Sequence, residues 1–291
     1  MKFQTLSVVI GDERCNATCS FCVAKMTGKM GSSYKLLDVD RLYVACRLAE
    51  KCDVTTVLLT GKGEPTLFPQ NICQCIKVVS KFFPLIELQT NGLDISWRKN
   101  FWEDKLRKWV ALGLTTIAIS IVHYSNIKNN EIYCNYGEGK CSYPDLRQTI
   151  DFLHDCGLSI RLNCIGLKNY IDTPYALDNL LTFAKSTGYE LQVTWRPVAM
   201  PSKSANEKVI YKTKELLIDD YKVNHIRNWA NKVGTLLLKL PHGAEVFDIG
   251  GQNLCLTNCL TRQPDEEVIR QLIFAGGRLR YDWECKGAII L

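Results

Sequence analysis

The amino-acid sequence predicts an α/β fold, a partial (β/α)6 TIM-like barrel with a small C-terminal extension. Three observations lead there. Short β-branched runs alternate with longer helical patterns from the N-terminus to about residue 200, the signature of repeated βα units around a parallel sheet. Six such runs can be counted, too few for a complete eight-stranded barrel, so the barrel is read as open. A chain of 291 residues has length for one large α/β domain and an appendage. The core barrel is drawn at residues 1–200 and the extension at 201–291.

The strands are expected at Leu6–Ile10, Val54–Thr60, Leu85–Gln89, Leu114–Ile121, Leu158–Ile165 and Glu190–Pro197. Apolar residues recur at helical spacing near Val39–Lys51, Ile72–Phe82, Asn100–Ala111, Pro144–Cys156 and Pro174–Thr187. Asp38 is placed to cap the first helix, and Gly113, Gly157 and Gly188 stand where the third to fifth should stop. From Ser202 a charged helical stretch runs through Lys232, followed by a turn-rich, cysteine-bearing tail. Its segments Arg270–Ile273 and Arg278–Tyr281, hinged at Gly276-Gly277, read as a hairpin leading to Cys285.

Hydrophobic content of 46% and charged content of 23% belong to an ordinary globular protein. The net charge of +6 is spread thinly, which argues against a nucleic-acid partner and suits an anionic small substrate. No run of eighteen apolar residues appears, and the chain opens directly into a strand-like segment. The expectation is no membrane span, no secretory signal and a cytoplasmic location. Fourteen cysteines in that compartment do not suit a disulfide framework. Some should bind metal and others should be buried apolar side chains; Cys46, Cys52, Cys73, Cys75, Cys134, Cys141, Cys156 and Cys164 are assigned to the second group.

The metal-binding group is read first in Cys15, Cys19 and Cys22, a CxxxCxxC loop directly after the first strand. Three thiolates at this spacing can converge on one cubane cluster and leave its fourth iron without a protein ligand. A barrel places its chemistry at the strand C-termini, where this loop falls. After the second strand comes Thr60-Gly61-Lys62-Gly63-Glu64-Pro65. Its glycines allow close backbone approach, and Glu64 offers an anionic acceptor for an ammonium group. The ends of strands three to five add Thr90-Asn91-Gly92, Ser120 and Arg161-Leu162-Asn163. Arg161 and Asn163 alternate with apolar neighbours and should both face the barrel interior. His123, just past the fourth strand, is a further candidate for substrate contact.

In these motifs the first 200 residues resemble the radical S-adenosylmethionine superfamily. The CxxxCxxC loop, with Phe21 before its third cysteine, is similar to the family's cluster loop. GKGEP is similar to its GGEP motif with one residue more. The resemblance implies a [4Fe-4S] cluster on Cys15, Cys19 and Cys22, with S-adenosylmethionine chelating the open iron through its amine and carboxylate. It implies reduction by an electron donor such as flavodoxin or ferredoxin, giving a 5'-deoxyadenosyl radical that abstracts a substrate hydrogen. The same analogy puts Phe21 and Val198 by the adenine, Gly61, Lys62, Gly63 and Glu64 by the methionyl group, and Ser120 and Asn163 by the rest of the cofactor. Within the superfamily the chain is most like the molybdenum-cofactor GTP 3',8-cyclase group and the twitch/SPASM branch. Thr90 and Arg161 fall where that group places substrate-binding residues. The chain departs from it at Leu58, before TGKGEP, and in its ending Ala288-Ile289-Ile290-Leu291. Cys255, Cys259 and Cys285 resemble the shortened auxiliary extension called a twitch domain, which implies a possible second [4Fe-4S] cluster. The expected substrate, given Arg161, Arg196 and the positive balance, is a small nucleotide-like or anionic metabolite. Two other readings stand beside it, a maturase of a ribosomal peptide and a non-enzymatic sensor of the cofactor.

Overall fold

The computed structural model describes residues 2–27, 37–134, 142–201, 206–240, 242–257, 268–285 and 287–291. The barrel is built from β1 (Lys2–Val9), β2 (Thr56–Thr60), β3 (Leu85–Thr90), β4 (Thr116–Ile121), β5 (Ser159–Gly166) and β6 (Gln192–Pro197). Between them lie α1 (Val23–Met26), α2 (Val39–Lys51), α3 (Pro69–Val79), α4 (Leu93–Trp97), α5 (Lys99–Ala111), α6 (Asn126–Tyr133), α7 (Leu146–Asp155) and α8 (Pro174–Ser186). Adjacent strands from β1 to β6 pair in parallel and in sequence order, as crossover helices require. All six expected strands are present, with ends moved by a few residues. Asp38 caps α2 by accepting a hydrogen bond from the Arg41 amide, and Gly113, Gly157 and Gly188 follow α5, α7 and α8 with positive φ.

Each barrel strand alternates between two environments. On β5, Leu162 and Cys164 are fully buried toward the helices. Arg161, Asn163 and Ile165 point the other way, into the barrel. Register carries that interior row across the sheet: Ser120 opposes Asn163, Asn163 opposes Thr194, and Thr194 opposes Cys255. The helix-facing residues form the main core, in which Leu6, Leu59, Trp102, Leu162 and Trp195 are all buried. Complete burial of a Leu- or Phe-sized side chain is worth about 1.5–3 kcal/mol, so this layer holds the barrel's shape.

The chain after residue 200 is built into the same sheet. Helices α9 (Glu207–Leu216) and α10 (Asp220–Val233) lead to β7 (Thr235–Lys239), β8 (Glu245–Ile249) and β9 (Gln252–Leu256). β9 pairs in parallel with β6, so this meander extends the β6 edge. β10 (Val268–Ala275) crosses to the opposite edge and pairs in parallel with β1, carrying β11 (Arg278–Arg280) beyond it. The described residues thus form one open sheet in the order β11-β10-β1-β2-β3-β4-β5-β6-β9-β8-β7. Strands β7 to β11 extend both edges of the sheet, while Thr213 on α9 packs against Ser20 O in the thiol loop. The two ends curl toward one another: His242, in the β7–β8 turn, contacts the Gln4 side chain on β1. The expected hairpin at Gly276-Gly277 is the β10–β11 pair.

Candidate active site

The thiol loop leaves β1 at the C-terminal mouth and is fastened at three points. The Ile10 amide donates to Thr60 O at 2.7 Å, the Glu64 amide to Arg14 O at 2.9 Å, and the Thr18 amide to Tyr133 O at 3.0 Å. Gly63 is needed for the second contact. A Cβ there would lie 2.0 Å from the Arg14 carbonyl oxygen, inside any allowed separation, so the GKGEP loop meets the thiol loop backbone to backbone.

Cys15 is exposed, and Cys19 and Cys22 are half-buried. Burial pushes the Cys15 thiol up to about 11, helped by the charges of Glu64 and Cys22. Burial, then Cys22 and Cys15, pushes the Cys19 thiol well above its ordinary range. The three sulfurs therefore share one electrostatic neighbourhood. Among the described residues no three His, Cys, Asp or Glu side chains converge on a single metal ion. Thiolates holding separate irons of one cluster need not converge that closely. Two donors already aim at the Cys15 sulfur, the Ala17 amide at 3.4 Å and Asn91 Nδ2 at 3.9 Å. Cys22 is the N-cap residue of α1 yet makes no side-chain capping bond. The donor set suits a thiolate-held, cationic iron–sulfur group, whose charge would offset the mutual repulsion.

Glu64 is buried, and its carboxylate faces protein. Oε1 accepts from the Thr66 amide at 3.0 Å, Thr66 Oγ1 at 2.8 Å and Thr90 Oγ1 at 2.6 Å, while Oε2 accepts from the Asn91 amide at 2.9 Å. Burial pushes its carboxyl up from the ordinary value, and the hydrogen bonds from Thr90, Asn91 and Thr66 oppose that. The carboxylate bolts the β2 and β3 loops together. Thr90 is tied into the same bolt, giving its proton to Glu64 and accepting from the Gly92 amide at 3.0 Å. Lys62 is buried as well, with Nζ 2.6 Å from Thr27 Oγ1 and 5.7 Å from the Trp283 ring centroid. Burial lowers its ammonium pKa.

Phe21 and Val198, far apart in sequence, meet in one apolar cluster with Ala17, Ile165 and Tyr133, against which Cys19 packs. Ser120 and Asn163 are register partners on the interior face, and Gly61 follows β2, where an added Cβ would meet Gly63 O at 3.0 Å and Pro65 Cγ at 3.2 Å. Arg161 also faces the interior, but lower in the barrel. Its Nη1 pairs with the buried Glu87 at 2.5 Å and its Nε donates to Gln192 at 2.9 Å. That guanidinium is committed to a polar floor and is not presented at the mouth. His123 sits in the turn after β4, its Nδ1 accepting from the Ser125 amide at 2.9 Å, and burial lowers its pKa.

Cys255 lines the interior on β9; burial raises its thiol pKa, and the charges of Arg161 and Arg270 lower it. Cys285 is exposed in the turn after β11, at the other end of the strand order. Cys259 and Cys141 lie outside the described residues.

Four mouth residues are set by tertiary contacts. Asn91 Nδ2 donates to Asn16 Oδ1 at 2.7 Å, joining the β3 end to the thiol loop. Arg196 Nε, Asn16 Nδ2 and the Tyr133 hydroxyl are buried without a hydrogen-bond partner among the described residues. Buried donors left open in this way are costly unless a ligand or water meets them. Arg196 was legible in the sequence as a basic residue at the end of the sixth strand; nothing local marked Tyr133 or Asn16.

An open parallel barrel with a thiol loop and a GEP loop at its mouth defines the class of protein. The sequence description "Radical SAM superfamily" matches residues 10–176. The chain belongs to the radical SAM superfamily and is an enzyme. It is 26% identical over 175 residues to a GTP 3',8-cyclase of Campylobacter curvus, covering 60% of this chain and 49% of that protein. It is 26% identical over 221 residues to a probable GTP 3',8-cyclase of Pyrobaculum aerophilum, covering 74% and 64%. The chain spans about half the length of the first of these relatives. Among solved structures it resembles SuiB of Streptococcus suis bound to S-adenosylmethionine, at TM-score 0.53 and 13% identity, covering 97% of this chain and 58% of that one. A radical SAM methyltransferase from Sphaerobacter thermophilus matches at TM-score 0.52 and 17% identity, covering 96% and 70%. These likenesses show the fold. Among the described residues no helix is long and apolar enough to cross a membrane.

Proposed function

We propose that Cys15, Cys19 and Cys22 hold one [4Fe-4S] cluster, that the mouth above them takes S-adenosylmethionine, and that the substrate is a small anionic, nucleotide-like metabolite. When bound and reduced, this pair supplies a 5'-deoxyadenosyl radical for hydrogen abstraction. The observation carrying the reading is the fastening of the thiol loop to GKGEP through the Glu64 amide and Arg14 O, which joins the family's two motifs at one mouth.

The chain's own residues then have distinct tasks. Phe21 and Val198 form an apolar wall that suits an adenine ring and keeps water away. Ser120 and Asn163 offer interior polar groups for orientation. Glu64, Thr90 and Asn91 hold the two loops in register from behind. Arg196 supplies a buried donor for an anion, and guanidinium recognition of phosphate or carboxylate is among the stronger polar contacts. This assigns to Arg196 the anion-binding part that the sequence motif suggested for Arg161. The similarity to GTP 3',8-cyclases supports a nucleotide substrate.

The test is anaerobic reconstitution followed by reduction with dithionite. The wild type should carry about four irons on these thiols and release 5'-deoxyadenosine. Cys19→Ala should lose both, and retained cleavage would refute the assignment. GTP serves as the trial anion in calorimetry: Arg196→Gln should weaken its binding roughly tenfold, and no binding by the wild type would remove the nucleotide reading.

A further inference from the structure

We propose that Lys62 is a buried counter-charge to the group held by Cys15, Cys19 and Cys22 and raises its reduction potential. The proposal rests on the reading of those thiols as cluster ligands. Lys62 is the residue by which GKGEP is longer than the GGEP it resembles. Its side chain is 6% exposed and reaches the end of α1, where Nζ donates to Thr27 Oγ1 at 2.6 Å and lies 3.4 Å from Thr27 O. Nζ also faces the Trp283 ring, 5.7 Å from its centroid, a distance at which a ring face attracts a cation.

Helix α1 fixes how far that ammonium stands from the thiols. Cys22 is its N-cap and Thr27 its C-cap, with four helical residues between them. At about 1.5 Å per residue the two caps are roughly 7–8 Å apart along the axis. The Cys22 carbonyl accepts from the Lys25 and Met26 amides, and the Val23 carbonyl from the Thr27 amide and hydroxyl, so the turn is held at both ends. The Thr27 hydroxyl proton is thereby used, which leaves its oxygen as the acceptor for Lys62. Burial lowers the Lys62 pKa, and the charges of Cys22 and Glu13 oppose this.

Stability does not account for an ammonium in this place. A buried charge is costly unless an opposite charge answers it, and a hydroxyl, a carbonyl and an indole ring carry none. Thiolates holding a cluster do. Lys25, whose charge is felt at Cys15 and Cys19, is exposed and screened by solvent. Lys62 is enclosed, so its field is screened less. Potentials of iron–sulfur groups follow the net charge around them, and a fixed positive charge favours the form with one more electron. In that reduction one electron arrives from an external donor, no bond forms or breaks, and Lys62 keeps its proton.

The test is a potentiometric titration of the reconstituted protein, followed by electron paramagnetic resonance, with Lys62→Met and Lys62→Gln beside the wild type. Glutamine keeps a donor for Thr27 and loses only the charge. Both variants should load the same iron, melt no lower than wild type and bind S-adenosylmethionine with equal affinity in calorimetry. Their reduction equilibrium should move about tenfold toward the oxidised form, a midpoint about 59 mV more negative for a one-electron couple. The shift should persist in high salt, and Lys62→Arg should keep the wild-type potential. Equal potentials in loaded wild type, Lys62→Met and Lys62→Gln would overturn the role. So would weakened S-adenosylmethionine binding at an unmoved potential, which would assign Lys62 to the cofactor, or loss of iron from both variants, which would assign it to folding of the loop. A wild type that holds no cluster would refute the reading of the thiols, and this role with it.

Discussion

Glu64 shows how a motif residue can be read correctly in place and differently in task. Its position after β2 followed from GKGEP, but the orientation of the carboxylate depended on Thr90 and Asn91, which arrive from β3. Its removal should be felt first as lost stability. Glu64→Ala strands buried donors at Thr66, Thr90 and Asn91, and is expected to cost about 2–3 kcal/mol in urea unfolding. Stability within a few tenths of wild type would show that the network is dispensable. Arg161 teaches the same point: alternation placed it inside the barrel, and only the assembled sheet revealed Glu87, two strands away on β3, as its partner.

Individual elements were legible because each carries its own punctuation. The span Val39–Lys51 matches α2, since Asp38 caps it and its apolar residues recur on one face. The short helices α1, α4 and α6 have too few residues for a period to emerge, and they form against a surface already built. The loops are the elements where function concentrates, and Gly63 is their most constrained point. Gly63→Ala should force the thiol loop off GKGEP, lowering stability by about 1–3 kcal/mol, and should reduce iron loading in parallel. A Gly63→Ala protein with full iron content and an unchanged melting temperature would contradict this account.

At the scale of the whole molecule, the C-terminal strands occupy both edges of the sheet. Strands β7 to β9 fall in the tail read as turn-rich, β7 is exposed along its whole length, and the attachment beside β6 and the crossing of β10 to β1 have no local signal. His242, in the β7–β8 turn, contacts Gln4 on β1 across the sheet. Burial, with the nearby charge of Arg270, lowers the His242 pKa to about 4. A histidine depressed in the folded state contributes stability above its unfolded pKa, near 6.5, and loses it as pH falls toward 4. Unfolding midpoints should therefore decline between those pH values, and His242→Asn should flatten that part of the profile. An identical acid profile in the variant would sink the idea.

The sequence by itself determined the βα alternation, the family motifs and the side of the barrel on which they stand. These depend on short-range periodicity and on fixed spacings of cysteine and glycine, which a single chain displays directly. Tertiary structure alone decided that Glu64 bonds Thr90 and Asn91, that Arg161 is held by Glu87, and that Arg196 Nε and the Tyr133 hydroxyl are buried without a hydrogen-bond partner among the described residues. It also decided that β7 to β9 extend one sheet edge and β10 and β11 the other. Each of those outcomes is a choice of partner between residues distant in sequence, and burial energy and hydrogen-bond satisfaction settle it only once the strands lie side by side.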